Sequence, residues 1–136
     1  MGQNDQNFFV GLKAFVAQGE KLLILEDKDG QWELPGGKIQ IGEDIPAALN
    51  REIKEELGEK TEIQKGSIFH AWIRQPNPNK DFFILLLGFS CVWKGGEITI
   101  SQEHKSFRWI TKEEVDNLQF ENTYKDAVEY YFEKSL

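Results

Sequence analysis

The chain has 136 residues, the usual size of one domain, and 40% of them are apolar, which is enough for one sizeable core. Its net charge of −7 argues against a surface for nucleic acid polymers or anionic membranes. A small phosphorylated substrate is still compatible with this charge, because bound metal ions can reverse the local sign.

The sequence predicts one domain over residues 1–136 and a cytoplasmic location. The N-terminus lacks a basic segment followed by an apolar run, and no apolar run is long enough to span a bilayer. The single cysteine, Cys91, lies within an apolar run, which predicts a buried thiol and excludes a disulfide within the chain. We expect a monomer or a homodimer.

The N-terminal part of the sequence predicts strands that lead into a glycine-rich loop. Gly11 indicates a bulge or a close approach of two backbones. Asp29-Gly30 is a hairpin signal, and Pro35-Gly36-Gly37 is expected to end the third strand. The predicted strands in this part span residues 8–17, 21–26 and 31–34.

A helix is predicted over residues 44–57. Asp44 is a suitable N-cap, and Pro46 falls in the first turn, where a missing N–H costs nothing. Gly58 follows the last apolar position and is typical of a helix end. We expect the inward stripe to consist of Ala47, Leu49, Ile53 and Leu57.

The rest of the chain predicts further strands and two helices, and so an α+β domain with a sheet between helical layers. The residues at 111–114 fit a capping box that opens a short helix ending at Leu118. A terminal amphipathic helix is predicted over residues 123–134. The remaining predictions are strands at 62–74, 81–93, 98–100 and 107–110, a loop at 75–80, a turn at 94–96, and inward residues Ala127, Val128, Tyr131 and Phe132.

Three carboxylates crowd one face of the predicted helix, because Glu52, Glu55 and Glu56 are three or four residues apart. A solvated acidic face is the ordinary explanation of such a run. Here, however, a Gly-Gly turn precedes the helix, Arg51 can orient the carboxylates, and Glu43 stands at the junction. Oxygen ligands suit Mg²⁺ or Mn²⁺ rather than zinc. The residues indicate metal-assisted chemistry on a phosphorylated substrate.

The same stretch resembles the signature of the Nudix hydrolases, G-x5-E-x7-R-E-U-x-E-E-x-G-U, in which U is a bulky apolar residue. Here it reads Gly37-x5-Glu43-x7-Arg51-Glu52-Ile53-x-Glu55-Glu56-x-Gly58. Every fixed letter is present, and only the final U departs, because this chain has Glu59. That position lies beyond the helix end, so we expect a small change in packing and no lost metal ligand.

The resemblance implies a Nudix-type α/β/α sandwich with a mixed sheet between helices, and hydrolysis of a diphosphate bond with Mg²⁺ or Mn²⁺. It implies that Arg51 orients a cluster glutamate and that Glu43 fixes the loop. Glu103 is similar to the loop glutamate that many members place opposite the helix, either as a general base or as a distal metal ligand. The implied catalytic residues are Arg51, Glu55, Glu56 and Glu103, and the implied metal ligands are Gly36, Gly37, Glu52, Glu55, Glu56 and Glu103.

The two histidines receive structural predictions. His104 is expected to be structural or exposed, since the sequence identifies no acid partner for it. His70 is expected to pack on one face of the sheet or to line a substrate cleft.

The substrate stays open between several nucleotides. Arg74, and Lys80 across the loop, are candidates for phosphate contacts. Asn122 is similar in position to a base-reading asparagine of some nucleoside-triphosphate-cleaving Nudix enzymes, or is an ordinary residue at a helix entry. Pro76 lies roughly where ADP-ribose-cleaving relatives carry a proline, or serves a turn. The candidate aromatic residues for a base platform, each of which is equally a core residue, are Phe8, Trp32, Trp72, Phe83 and Phe120.

Three functions follow from these observations. The first is hydrolysis of a (deoxy)nucleoside triphosphate to a monophosphate and pyrophosphate. The second is the same chemistry on ADP-ribose, another nucleoside diphosphate sugar or a dinucleotide. The third is a catalytically silent module that binds a nucleotide, which the complete set of glutamates disfavours.

Overall fold

The structure is a computed structural model, and it describes residues 2–74, 83–120 and 123–135. The predictions for Pro76, Lys80 and Asn122 fall outside these residues. The strands are β1 (Phe8–Gln18), β2 (Lys21–Asp27), β3 (Trp32–Glu33), β4 (Gly36–Lys38), β5 (Thr61–Arg74), β6 (Phe83–Gly96) and β7 (His104–Ile110). The helices are α1 (Ile45–Leu57), a short 3-10 helix (Lys112–Asn117) and α2 (Tyr124–Lys134).

The strands form one mixed sheet in the order β3-β2-β1-β6-β5, with β4 added to β1 and β7 added to β2. β1 and β6 run parallel, from the pair Phe8–Phe83 to the pair Ala17–Val92. The other pairings are antiparallel. The predicted mixed sheet is confirmed.

Each face of the sheet carries its own core. Leu12, Ala14 and Val16 of β1 pack with Leu49 and other residues of α1. Phe15 points to the other face, where it packs in the cluster that α2 covers. With helices on both faces, the protein is the predicted α/β/α sandwich. The predicted inward residues of α2, which are Ala127, Val128, Tyr131 and Phe132, are all buried, and so is Cys91.

Helix α1 is oriented by its cap and by its apolar stripe. The Asp44 side chain accepts a hydrogen bond from the Ala47 N–H at 2.9 Å, and Gly58 ends the helix with a φ of 88°. The predicted burial of Leu49, Ile53 and Leu57 is confirmed. Ala47 was wrongly assigned to the stripe. It is exposed, and its neighbour Ala48 is buried, so the inward face runs along the side that also carries Glu52 and Glu56.

One strand was missed and two local predictions were wrong, each because a distant backbone supplies the hydrogen bonds. β3 ends before Pro35, as predicted, but residues 36–38 then form the unpredicted strand β4, which pairs with residues 11–13. Residues 94–96 continue β6 instead of turning, since Gly95 and Gly96 pair with the start of β5. Residues 98–100 are not a strand; the Thr99 N–H donates to the Leu57 carbonyl at the end of α1, at 2.9 Å.

Among the described residues, no helix is long and apolar enough to cross a membrane.

Candidate metal centre and active site

Helix α1 holds two buried carboxylates one turn apart. Glu52 is 9% exposed and Glu56 is 5% exposed, whereas the side chain of Glu55 is 58% exposed. The first two belong to the inward side of the helix and the third to its outer side. Two buried carboxylates on adjacent turns repel each other and are costly to desolvate unless positive charge or hydrogen bonds offset them.

The Gly36–Gly37 turn, as we call the two glycines that follow Pro35 and begin β4, brings backbone against these carboxylates. The Gly36 N–H donates to Glu56 Oε1 at 2.5 Å. A Cβ on Gly37 would lie 2.5 Å from Glu52 Oε1, and a Cβ on Gly36 would overlap the Leu12 carbonyl. Gly36 also has a φ of 140°, which L side chains rarely adopt. Glycine is therefore required at both positions for the loop to approach Glu52 and Glu56.

Arg51 connects the loop to the helix. Its guanidinium binds Glu43 with two hydrogen bonds, from Nε at 2.5 Å and from Nη2 at 2.9 Å. It also donates to Glu52 Oε1 at 2.8 Å, to Glu55 Oε2 at 3.3 Å and to the Lys38 carbonyl at 3.1 Å. This side-chain hydrogen bonding holds the pKa of Glu43 below its ordinary value. Arg51 thus contacts both the loop and the acidic cluster, and its catalytic role stays a prediction.

A second group of side chains meets Glu56 from other elements. His104 of β7 is 6% exposed, and its Nε2 lies 3.6 Å from Glu33 Oε1 and 3.9 Å from Glu56 Oε2. One ligand atom of each of these three residues lies within 4.8 Å of the other two. The premise that His104 lacks an acid partner is therefore wrong, since its partners come from β3 and α1.

Lys13 is a buried cation that sequence reasoning missed. Its Nζ donates to the Leu34 carbonyl at 3.1 Å and to the Gly36 carbonyl at 3.4 Å, and it lies 3.6 Å from Glu33 Oε1. Alternation along β1 places Lys13 on the same face as Phe15. That alternation was the available signal, because a lysine on the inward face of an apolar strand requires a partner. Glu33, in a two-residue strand, gave no comparable signal.

Burial and charge shift the pKa values of Glu56 and Glu33 in opposite directions. Burial raises the pKa of Glu56 to about 7, although Lys13, the Gly36 N–H and His104 oppose the shift. Burial also acts to raise the pKa of Glu33, but His104 and Lys13 outweigh it and hold that pKa below its ordinary value. Burial acts to lower the pKa of His104, while Glu33 and Glu56 raise it overall. The charged forms of Glu33 and His104 thus stabilise each other, whereas burial favours the neutral form of Glu56.

The other candidate residues have separate environments. Glu103 is exposed on the turn before β7, and its N–H donates to Ser101 Oγ at 3.3 Å. Arg74 ends β5 with its guanidinium carbon 5.7 Å from the centre of the Tyr124 ring. His70 is half-buried and stacks on Tyr130 at 4.0 Å, which places it in a packing contact. The base-reading prediction for Asn122 lies outside the described residues.

The aromatic candidates for a base platform have different environments. Phe120 is buried in the core under α2, whereas Phe8 is 41% exposed and lies 5.9 Å from Phe83, measured between ring centres. Trp32 packs against the same core as Phe120. Trp72 also packs there, and its Nε1–H donates to Thr123 Oγ1 at 3.2 Å.

The donor set beside the glycine turn fits a hard divalent cation. Glu52 and Glu56 offer carboxylate oxygens next to backbone, and Glu55 offers an exposed carboxylate on the same helix. Mg²⁺ and Mn²⁺ prefer such oxygen ligands. Burial raises the pKa of Glu56, and an added cation would favour its charged form.

Comparison with known proteins places this arrangement in a family. A family model for the NUDIX domain matches residues 9–131. The nucleoside triphosphatase NudI of Escherichia fergusonii is 37% identical over 92 residues, which cover 63% of this chain and 65% of that protein. NudI of an Enterobacter species is 35% identical over 95 residues, covering 65% of this chain and 67% of that protein.

Solved structures share the fold at lower sequence identity. A MutT protein from Methanosarcina mazei has a TM-score of 0.78 and 19% identity, with 96% of each chain covered. A NUDIX family hydrolase from Clostridium perfringens has a TM-score of 0.76 and 17% identity, covering 93% of this chain and 97% of that one. Both arrange their chains as this one does.

Proposed function

The chain belongs to the Nudix hydrolase family, and on that premise we propose that it hydrolyses a nucleoside triphosphate to a nucleoside monophosphate and pyrophosphate. The observation that carries the proposal is the pair of buried carboxylates, Glu52 and Glu56, held against the Gly36–Gly37 turn. The choice of substrate is supported by the two NudI relatives, which are named as nucleoside triphosphatases and are 37% and 35% identical over the aligned part.

The cofactor of the proposed reaction is Mg²⁺ or Mn²⁺. Glu52 and Glu56 are its principal ligands, with Glu55, Glu103 and a carbonyl of the glycine turn as further ligands. A bound divalent ion would neutralise charge on the phosphate oxygens and lower the pKa of the attacking water.

Side chains of the protein have the remaining roles in the proposed reaction. Arg51 fixes the Glu52 carboxylate through Nη1 and fixes the loop through Glu43, so that the ligands keep their geometry when the site is filled. Glu55 or Glu103, both exposed, accepts the proton of the attacking water. Arg74 contacts phosphate.

The experiment is a panel assay with product identification. Purified protein is incubated with Mg²⁺ or Mn²⁺ and with each of the dNTPs, NTPs, ADP-ribose and dinucleoside polyphosphates. We expect turnover of at least one nucleoside triphosphate to monophosphate and pyrophosphate. Cleavage of ADP-ribose or dinucleotides alone would overturn the proposed substrate but keep the reaction. No turnover of any compound would overturn the enzyme proposal.

A further inference from the structure

The side chain of His104 links β7 to the acidic face of α1. It is buried, and its Nε2 lies between Glu33 Oε1, at 3.6 Å, and Glu56 Oε2, at 3.9 Å. The proposed mechanism uses Glu56 and Glu103 but leaves this buried histidine without a role. His104 directly follows Glu103, which is exposed.

A bulge at the start of β7 turns His104 toward α1. Glu26 of β2 pairs with Ser106, but the next residue, Asp27, pairs with His104, so Lys105 is an extra residue on β7. An extra residue in a strand reverses the face to which the side chain beyond it points, and here that side chain is His104. Without the bulge, His104 would share a face with Ser106 and could not reach Glu56.

The turn that carries Glu103 is held at both ends. At one end, the Ser101 N–H donates to the Glu56 carbonyl at 3.3 Å. Within the turn, the His104 N–H donates to the Ser101 carbonyl at 3.2 Å, and the Glu103 N–H donates to Ser101 Oγ at 3.3 Å. At the other end, the only buried side chain of residues 101–104 is that of His104. Since consecutive Cα atoms are about 3.8 Å apart, fixing His104 also fixes the backbone of Glu103.

We propose that His104 is a positioning residue, whose contacts with Glu33 and Glu56 hold the Ser101–His104 turn against α1 and thereby place Glu103 beside the catalytic carboxylates. The proposal rests on the proposed hydrolytic function for its kinetic consequence. Its structural consequence, a turn that is ordered by one side chain, is independent of that function.

Two substitutions of His104 separate its polar contact from its bulk. In His104→Gln the amide nitrogen occupies roughly the place of Nε2, so the contact with Glu33 and Glu56 is kept. In His104→Asn the amide is one carbon shorter and the contact is lost. We expect His104→Asn to lower kcat about tenfold or more, with little change in KM, as for groups that orient metal-site residues. His104→Gln should retain most of kcat.

A double-mutant cycle with Glu103→Gln tests whether His104 acts through Glu103. Glu103→Gln alone is expected to lower kcat at least tenfold, because the carboxylate would be lost as a base or ligand. The double variant Glu103→Gln with His104→Asn should be no slower than Glu103→Gln, since the positioned group is already gone. Losses that multiply would overturn the proposal.

Hydrogen exchange in the metal-free protein gives a readout that needs no turnover. We expect the amides of residues 103 and 104 to exchange faster in His104→Asn than in the wild type, and at the wild-type rate in His104→Gln. Gln102→Ala, at an exposed neighbour in the same turn, is the matched control and should change neither exchange nor kcat. Unchanged exchange in His104→Asn would overturn the proposal, as would a Gln variant that behaves like the Asn variant.

The two proposals fail in different ways. A wild-type protein that turns over no nucleotide overturns the hydrolase proposal, while the exchange experiment still decides the role of His104. If the wild-type protein is active and the losses of kcat in the cycle multiply, only the role of His104 is overturned.

Discussion

The three carboxylates of α1 differ in their burial and in the residues that they contact. Glu52, Glu55 and Glu56 are adjacent on one helix, yet only Glu52 and Glu56 are buried against the glycine turn. Glu56 is the most constrained, because it accepts from the Gly36 N–H and also faces His104. Its replacement is therefore the most direct test of the site at the scale of one residue.

We predict that Glu56→Gln lowers kcat/KM at least a hundredfold, because an amide keeps the volume but removes a charged ligand of the divalent ion. Steady-state kinetics with the best substrate of the panel measures the loss. Glu59→Gln is the matched control, since Glu59 is exposed just beyond the helix end and should leave kcat/KM unchanged. Wild-type turnover in Glu56→Gln would remove Glu56 from the metal centre.

At the scale of elements, the centre depends on how closely β4 approaches α1. Gly37 faces Glu52, and Arg51 binds Glu43 and the Lys38 carbonyl, so the loop and the helix form one unit.

We predict that Gly37→Ala weakens binding of Mn²⁺ at least tenfold, because the new Cβ would lie 2.5 Å from Glu52 Oε1 and would displace that carboxylate. Titration of the protein with Mn²⁺, followed by electron paramagnetic resonance, measures the free ion. Gly42→Ala, in the loop between β4 and α1, is the control. It introduces backbone strain at a φ of 84°, but no atom lies within 4 Å of its Cβ. Equal affinities in wild type and Gly37→Ala would contradict the proposed approach.

These elements were predicted well where their signals lie within the element and poorly where their hydrogen-bond partners lie elsewhere in the chain. Helix α1 was predicted closely, because the Asp44 cap, the apolar spacing and Gly58 are signals within the helix itself. The strand predicted at 98–100 was wrong because its backbone bonds to the end of α1, which no local pattern reports.

The same reason explains what was missed at the site. The acidic cluster of α1 could be found because its spacing is local, and it matched a known signature. Glu33, Lys13 and His104 come from three different strands, so their proximity to Glu56 is a property of the sheet and not of any segment. The bulge that turns His104 inward has no sequence signal of its own.

At the scale of the whole molecule, the site couples folding to pH and to metal. Burial raises the pKa of Glu56 from 4.5 to about 7, so the folded state binds a proton that the unfolded state has released between these values. The stability linked to Glu56 is therefore fully present below about pH 4.5 and is lost as the pH rises toward 7. At about 1.4 kcal/mol per pKa unit, the loss is roughly 3 kcal/mol.

We predict that, in chelator, the free energy of unfolding of Glu56→Gln rises relative to the wild type by about 1–3 kcal/mol between pH 4.5 and pH 8, because glutamine does not titrate. Urea unfolding of both proteins at each pH measures the difference. Mg²⁺ or Mn²⁺ should stabilise the wild type at pH 8 and not the variant, since a ligand stabilises only the state that binds it. A constant difference across the pH range would show that Glu56 titrates normally.

The parallel pairing of β1 with β6 has a consequence for how the chain is made. β1 lies at the centre of the sheet, yet its neighbour on one side begins only at Phe83. On the ribosome, the N-terminal strands and helix α1 emerge first, and one edge of β1 stays open until the second half of the chain follows. The order of synthesis therefore delays closure of the sheet, and contacts so distant in sequence are those that slow folding most. The edge of β1 that faces β6 consequently stays without its backbone hydrogen-bond partners until residues 83–92 have been made.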